Sequence, residues 1–153
     1  MQKPSMMLTP EDFWQYSVNR YGKPGVADAC LTLQDQFGIN VNLVLLYCWC
    51  IEHNHQPSSV AREAMQDAVA QTNPAIELHR QKRRLAKDSP NYEAMKQAEL
   101  KLEAQQQRAL VAALCSFDSE TETTDINDPI ERLAHYLHVA TQPDINPYLQ
   151  AVL

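Results

Sequence analysis

The stretch Leu43-Val-Leu-Leu-Tyr-Cys-Trp-Cys-Ile51 is the longest apolar run in this sequence of 153 residues. It is too short to cross the core of a bilayer, which takes about 20 residues in a helix. A helix over about 41–54, capped by Asn40, would be apolar on every side. That pattern is typical of a central helix surrounded by others, so the run predicts the middle of a helical core.

Prolines outside this run predict where other helices begin. Proline suits the first turn of a helix, and a preceding Ser, Thr, Asn or Asp can accept a hydrogen bond from an unpaired backbone N–H. Five of the nine prolines lie in this context: Thr9-Pro10, Asn73-Pro74, Ser89-Pro90, Asp128-Pro129 and Asn146-Pro147. Each pair predicts a helix start.

The spacing of apolar residues predicts an all-α fold. It indicates helices over about 10–21 and 26–37, another from Ser58 or Ser59, and a long helix over about 90–116. Because Glu99 and Gln106 interrupt the apolar seam of the long helix, it either projects as an arm or forms a hairpin with the preceding helix. We predict a single-domain bundle of about six to eight helices, since no segment alternates as a strand does.

The expected organisation of the chain has three parts. Residues 1–116 form a helical domain and residues 117–127 an acidic, flexible linker. Residues 128–153 form a C-terminal amphipathic helix and tail. Asp118, Glu120, Glu122 and Asp125 lie on the linker, and one hypothesis is a latch in which they fold back over Arg80 to Lys87.

The composition excludes several classes of function. Three glycines are too few for a phosphate-binding glycine-rich loop or for the turns of a β-sandwich. The net charge of −6 argues against indiscriminate binding to DNA or to an anionic membrane. This average hides a basic middle, because residues 71–115 carry a net charge of +3 between two acidic ends.

The cysteines and the start of the chain predict a cytoplasmic location. Cys30, Cys48, Cys50 and Cys115 are too sparse for a disulfide framework in a chain of this size. Met1 to Pro10 lacks the basic region and sustained apolar run of a secretory signal. We therefore expect reduced thiols.

The first 55 residues carry a recognisable pattern of aromatic, glycine and small apolar residues. The pattern comprises Phe13-Trp14, Tyr21, Pro24-Gly25-Val26, Cys30-Leu31-Thr32-Leu33-Gln34-Asp35, Gly38, Val41-Asn42-Leu43 and Trp49. It resembles an uncharacterised gammaproteobacterial family of small helical proteins, a domain of unknown function. The resemblance covers about residues 10–115 and is strongest over 24–49. It implies a small, cytoplasmic helical protein and brings no catalytic or ligand residues.

A basic segment is the best-formed candidate site. Four cations recur at helical spacing as one positive stripe: Arg80, Arg83, Arg84 and Lys87. Leu78 and Leu85 are predicted to lie on the opposite, core-facing side. Such a stripe could contact phosphates or dock an acidic partner. A solvated face partly paired with Glu77 and Asp88 explains the same pattern, so both interpretations stay open.

Other residues offer weaker candidate sites. Cys48, Cys50, His53 and His55 have ligand types that zinc prefers, but the two thiols would point about 200° apart on a helix. Glu131, His135 and His138 share a helical stripe, which is either a partial metal site or a solvated face. Gln34, Asp35, Asn40 and Asn42 either cap helix ends or form a polar recognition patch. We assign no catalytic residue, no metal ligand and no cofactor.

The predicted function is a non-catalytic protein-interaction or regulatory module. Its contact surface is the basic stripe Arg80 to Lys87, and its expected partner is a protein of unknown identity. The alternative is a nucleic-acid-binding protein that uses the same stripe, and the third candidate is a small metal-binding protein or enzyme. We expect no membrane partner, and the sequence leaves the oligomeric state open.

Overall fold

The computed structural model describes residues 8–117 and 125–153, which form seven α-helices. The helices are α1 (Pro10–Tyr21), α2 (Val26–Phe37), α3 (Val41–Glu52), α4 (Ser59–Leu85), α5 (Tyr92–Ser116), α6 (Pro129–Tyr136) and α7 (Asn146–Val152). These two ranges contain no strand. The predicted all-α bundle is therefore confirmed.

Helix α3 is the centre of the bundle, as its apolar sequence predicts. Every side chain from Leu43 to Cys48 is buried, and so is Cys50. The helix contacts α1, α2, α4, α5 and α6, so neighbours cover it on all sides. None of the described helices has the length and apolar content needed to span a membrane.

Side-chain caps fix four of the helix starts. The cap residues accept hydrogen bonds from backbone N–H groups three residues later, at Thr9 (3.0 Å), Asn40 (2.9 Å), Ser58 (3.1 Å) and Asp128 (3.0 Å). Gly38 ends α2 with a φ of 65°, a left-handed conformation that glycine adopts at little cost. These local signals were readable in the sequence.

The predicted helix start at Asn73-Pro74 is wrong, because α4 runs without a break through Pro74. The Asn73 side chain caps nothing there and instead makes tertiary hydrogen bonds to Asn40 and Gln106. Met65 and Ile76 are both buried on one face of the same continuous helix. Packing on both sides of the proline therefore outweighs the backbone hydrogen bond that the proline removes.

Helices α4 and α5 form an antiparallel hairpin, one of the two arrangements that the sequence allowed. At 1.5 Å per residue α4 is about 40 Å long, whereas the 12-residue helices α1, α2 and α3 are each about 18 Å long. Helix α5, the predicted long helix, begins at Tyr92, two residues later than Pro90 indicates. The hairpin is thus about twice as long as the helices that it packs against.

Helices α6 and α7 pack against α3 and α2 respectively. Arg20 of α1 also holds the end of α7, because its Nη1 donates a hydrogen bond to the main-chain oxygen of Leu153 at 2.9 Å. Its Nη2 forms an ion pair with Glu52 at 2.7 Å. Partial burial by itself would raise the pKa of Glu52, but hydrogen bonding with Tyr16 together with the charge and hydrogen bond of Arg20 lowers that pKa below its usual range.

Candidate functional site

The basic stripe faces the hairpin partner rather than open solvent at Arg83. The Arg83 Nε lies 2.7 Å from a Glu99 carboxylate oxygen, and its Nη1 donates a hydrogen bond to the Tyr92 hydroxyl at 3.2 Å. The hydrogen bond with Glu99 raises the pKa of Arg83. Arg83 is therefore part of the hairpin interior, and its charge is largely neutralised.

Arg80 is held more loosely, one turn nearer the base of the hairpin. Its guanidinium nitrogens lie 3.6 Å from Glu103 and 3.9 Å from Glu99, both longer than a full hydrogen bond. Burial raises the pKa of Glu103, and the neighbouring Glu99 carboxylate adds to the shift. Arg80 thus faces two carboxylates. Arg83 already binds that of Glu99, and burial disfavours the charged form of Glu103.

Arg84 and Lys87, the other two residues of the stripe, are exposed. Across residues 8–117 and 125–153 neither has an ion pair. The predicted core-facing side of this helix is wrong, since Leu78 is 55% exposed and Leu85 is 90% exposed. The second half of α4 turns Arg80 and Arg83 towards the glutamates of α5, so Leu78 and Leu85 on the opposite face point to solvent.

A cleft of about 520 Å³ opens where α1, α2 and the start of α3 face the hairpin, and we call it the hairpin cleft. Its charged lining consists of Arg80, Arg83, Arg84, Glu99 and Glu103. Its apolar lining includes Trp14, Val18, Tyr21, Leu31, Ile76 and Leu100. The stripe and an apolar wall therefore share one concave site.

Gln106 of α5 is the centre of the polar floor of the cleft. Its Oε1 accepts hydrogen bonds from Asn40 at 3.1 Å and from Asn42 at 2.8 Å. Its Nε2 donates to the Thr72 hydroxyl at 2.9 Å. Asn40 thus serves as both the predicted helix cap and a floor residue. The network ties α3, α4 and α5 together at the base of the cleft.

Gln107 completes the floor beside α1. Its Nε2 donates to Ser17 and to the Asn42 side-chain oxygen, both at 3.0 Å. Its Oε1 is buried and has no hydrogen-bond partner within the described parts of the chain. The floor therefore holds its side chains in fixed positions and retains one unused acceptor.

A smaller cleft of about 330 Å³ also involves α4. It shares Gln34, Asn40, Asn73 and Arg80 with the hairpin cleft. Gln34 and Asn40 from the predicted polar patch therefore border both concave surfaces. Asn42 lines the hairpin cleft but not the smaller cleft, and Asp35 lines neither.

The candidate metal ligands do not come together. Cys48 and Cys50 are buried in α3, and within the described ranges no group of three or more His, Cys, Asp or Glu residues is arranged to hold a metal ion. Helix α6 ends at Tyr136, so His138 lies beyond it with a φ of 57°. The expected stripe of Glu131, His135 and His138 on one helix is therefore wrong.

The latch hypothesis rests mainly on residues outside the described parts of the chain. Asp118, Glu120 and Glu122 lie outside the described residues, and Asp125 is exposed. The latch therefore stays a prediction.

The apolar half of the cleft was not recognised in the sequence. Tyr21 and Leu31 come from neighbouring helices and Leu100 from the distant α5, so no local spacing links them. One signal was available: Leu100 lies off the apolar seam of α5, and 42% of its surface is exposed. An apolar residue on the polar side of a helix is a reason to look for a partner surface.

The comparisons with known proteins identify one family. No significant match was found among curated proteins or among solved structures. A family model described as protein of unknown function (DUF2390) matches residues 12–110. The matched region includes every residue that lines the hairpin cleft, from Trp14 to Gln107. The resemblance to a domain of unknown function is therefore confirmed, and the chain belongs to the DUF2390 family of proteins of unknown function.

Proposed function

We propose that this protein is a non-catalytic helical interaction module that binds a segment of a partner protein in the hairpin cleft. One observation carries the proposal. Among the described residues seven large apolar side chains are exposed, and four of them line this cleft: Val18, Tyr21, Leu31 and Leu100. Such clustering of exposed apolar groups in a concave site is typical of a binding surface.

Apolar contact in the cleft supplies only part of the free energy that binding needs. The four side chains are 38–52% exposed, so covering each of them contributes about 1 kcal/mol. The total of about 4 kcal/mol is small beside the cost of association, so binding also needs polar contacts. The amide groups of the floor and the exposed Arg84 supply them.

The contact surface in this proposal is the hairpin cleft and not the whole basic stripe that the sequence predicted. Arg80 and Arg83 face glutamates, which leaves Arg84 as the exposed cation that lines the cleft. The same ion pairs reduce the positive charge available to a nucleic acid. Three buried free cysteines, Cys30, Cys48 and Cys50, support the cytoplasmic location that we infer with this function, because cytosolic thiols stay reduced.

Intrinsic fluorescence offers a direct test. The chain has two tryptophans, Trp14 in the cleft and Trp49 on α3, so the variant Trp49→Phe leaves a single reporter in the cleft. Short peptides selected from a random display library against the wild-type protein should change the emission of Trp14. Failure to select any peptide, or binding that leaves Trp14 emission unchanged, contradicts the proposal.

Two matched leucine substitutions locate the binding site. Leu31→Gln alters the cleft wall, whereas Leu78→Gln alters a leucine of similar exposure outside the cleft. We expect Leu31→Gln to weaken peptide binding by about tenfold, because it removes apolar contact and buries an amide. Leu78→Gln should leave the affinity unchanged. Equal effects of the two variants would place the binding site elsewhere.

A further inference from the structure

We infer that the partner segment carries a carboxylate beside a bulky apolar side chain, with the carboxylate bound by Arg84 and Arg80. This inference rests on the proposed function and adds the chemistry of the partner. Arg80 and Arg84 are four residues apart on α4, and both line the hairpin cleft. Side chains at this spacing are neighbours on a helix, so one carboxylate can contact both.

The two arginines have unused hydrogen-bonding capacity. A guanidinium offers five N–H donors in a fixed fork that suits a carboxylate. Within residues 8–117 and 125–153, the ion-pair contacts of Arg80 are the long ones of 3.6 and 3.9 Å, and its side chain is 17% exposed. Arg84 is exposed and has no ion pair in the part of the chain that the structure describes. An incoming carboxylate therefore gains donors at both positions.

The acidic groups of the cleft are less available to a cationic partner. Arg83 already engages Glu99 at 2.7 Å. Glu103 faces Arg80 and lies where burial disfavours its charged form. With three arginines against these two glutamates, the charged lining favours an anionic group.

The apolar wall determines what must accompany the carboxylate. Leu100 follows Glu99 directly in the sequence, and Tyr21 and Leu31 line the same cleft from α1 and α2. Each of these three side chains is between 38% and 45% exposed. A carboxylate alone would leave this surface uncovered, so an aromatic or large aliphatic side chain should lie next to the acidic residue.

The composition of the selected peptides is the first test. Peptides selected at low ionic strength should be enriched in Asp or Glu next to a large apolar residue. Their affinity should fall as salt is raised, because exposed charges are screened. Selection of neutral or basic peptides that still change Trp14 emission would overturn the inference while leaving the proposed function intact. Failure to select any peptide would overturn both.

Charge-neutral variants provide the second test, with the best selected peptide as the probe. Arg84→Gln should weaken its binding by about tenfold, a typical cost of losing one charge-assisted contact. Arg108→Gln removes an exposed arginine of α5 that does not line the cleft, and it should leave binding unchanged. If Arg84→Gln has no effect while Leu31→Gln abolishes binding, the cleft is used but the carboxylate contact is excluded.

A DNA duplex separates the inference from the nucleic-acid alternative. We expect the duplex not to displace the peptide at low salt. Displacement that weakens equally in Arg84→Gln and Lys87→Gln would indicate a phosphate-binding stripe, because Lys87 does not line the cleft. That result would overturn the inference. Circular dichroism of each variant checks that these exposed substitutions leave the fold unchanged.

Discussion

Gln106 is a polar residue on the apolar seam of α5, and its side chain makes hydrogen bonds to other helices. In the sequence it interrupts the seam, and the sequence alone gives no reason for the interruption. Its hydrogen-bond partners Thr72, Asn42 and Asn40 lie 34, 64 and 66 residues away in the chain. Sequence periodicity reports only on neighbours along one helix, so it could not identify these contacts.

Replacing Gln106 tests the role of the polar floor in stability. Gln106→Leu keeps the size of the side chain but leaves the Asn40 and Asn42 amides and the Thr72 hydroxyl without this partner. We expect the free energy of unfolding, measured by urea denaturation, to fall by about 2–4 kcal/mol. The exposed neighbour Gln105 gives the control, since Gln105→Leu should change the free energy of unfolding by less than about 0.5 kcal/mol. Equal effects would mean that the network contributes nothing.

Leu85 and Arg83 illustrate the limit of an amphipathic pattern. The spacing separates the apolar and basic faces of distal α4, but it does not say which face meets another helix. The prediction placed the leucines inside, whereas Arg83 faces Glu99 and Leu85 is 90% exposed. The register of α5 decides the outcome, because it brings a carboxylate to the level of Arg83.

At the scale of helices, the sequence predicts most starts and ends because the responsible interactions are local. Helices α1 and α2 have the predicted bounds, and their signals lie within a few residues of each end. Helix α4 is the exception. Its Asn73-Pro74 pair has the composition of a helix start, but the packed residues on both sides of it continue one helix. Tertiary packing therefore overrides a strong local signal.

Pro74 lies inside α4, where its ring clashes with the preceding turn and removes a backbone donor. We expect Pro74→Ala to raise the free energy of unfolding by about 1–3 kcal/mol, measured by urea denaturation. Pro90 lies between α4 and α5 and provides the comparison, since Pro90→Ala should not be stabilising. A loss of stability in Pro74→Ala would show that the proline geometry is required by the contacts of Asn73.

At the scale of the molecule, the sequence predicts the architecture but not the cleft. The central position of α3 follows from its composition alone. The hairpin cleft instead takes its lining from α1 to α5, with residues between Trp14 and Gln107. Leu100, which lies off the apolar seam of α5, signals only one point of the cleft wall. Only the packing of the helices brings the stripe and the apolar wall together.

Buried thiols make the stability of the whole bundle dependent on alkaline pH. Burial raises the pKa of Cys30 to about 11 and that of Cys48 to about 12, against about 8.5 in an unfolded chain. The unfolded state therefore loses these protons first. The stabilisation is complete below about pH 8.5 and is lost as the pH rises towards the pKa values of the thiols in the folded state. Cys50 is buried as well, and burial raises its pKa too. We expect urea denaturation to show a loss of about 3 kcal/mol, about 1 kcal/mol from each of the three thiols, between about pH 9 and about pH 10.

The variant Cys30→Ala isolates the thiol contribution from general charge repulsion. It is expected to lower the stability at neutral pH, since Cys30 is completely buried. Its further loss between about pH 9 and about pH 10 should be about 1 kcal/mol smaller than that of the wild type. The same pH dependence in both proteins would attribute the effect to other groups.

The two walls of the hairpin cleft differ in how they are held. The α1 and α2 wall is anchored by Phe13 and Leu33, which are completely buried in the apolar core. The opposite wall is held at Arg83 by an ion pair and at His79 by a hydrogen bond with the main-chain oxygen of Met95 at 2.7 Å. Local opening of a protein begins where few apolar contacts must break. A partner entering the cleft would therefore meet one rigid wall and one compliant wall, and amide hydrogens of the distal hairpin should exchange faster than those of α3.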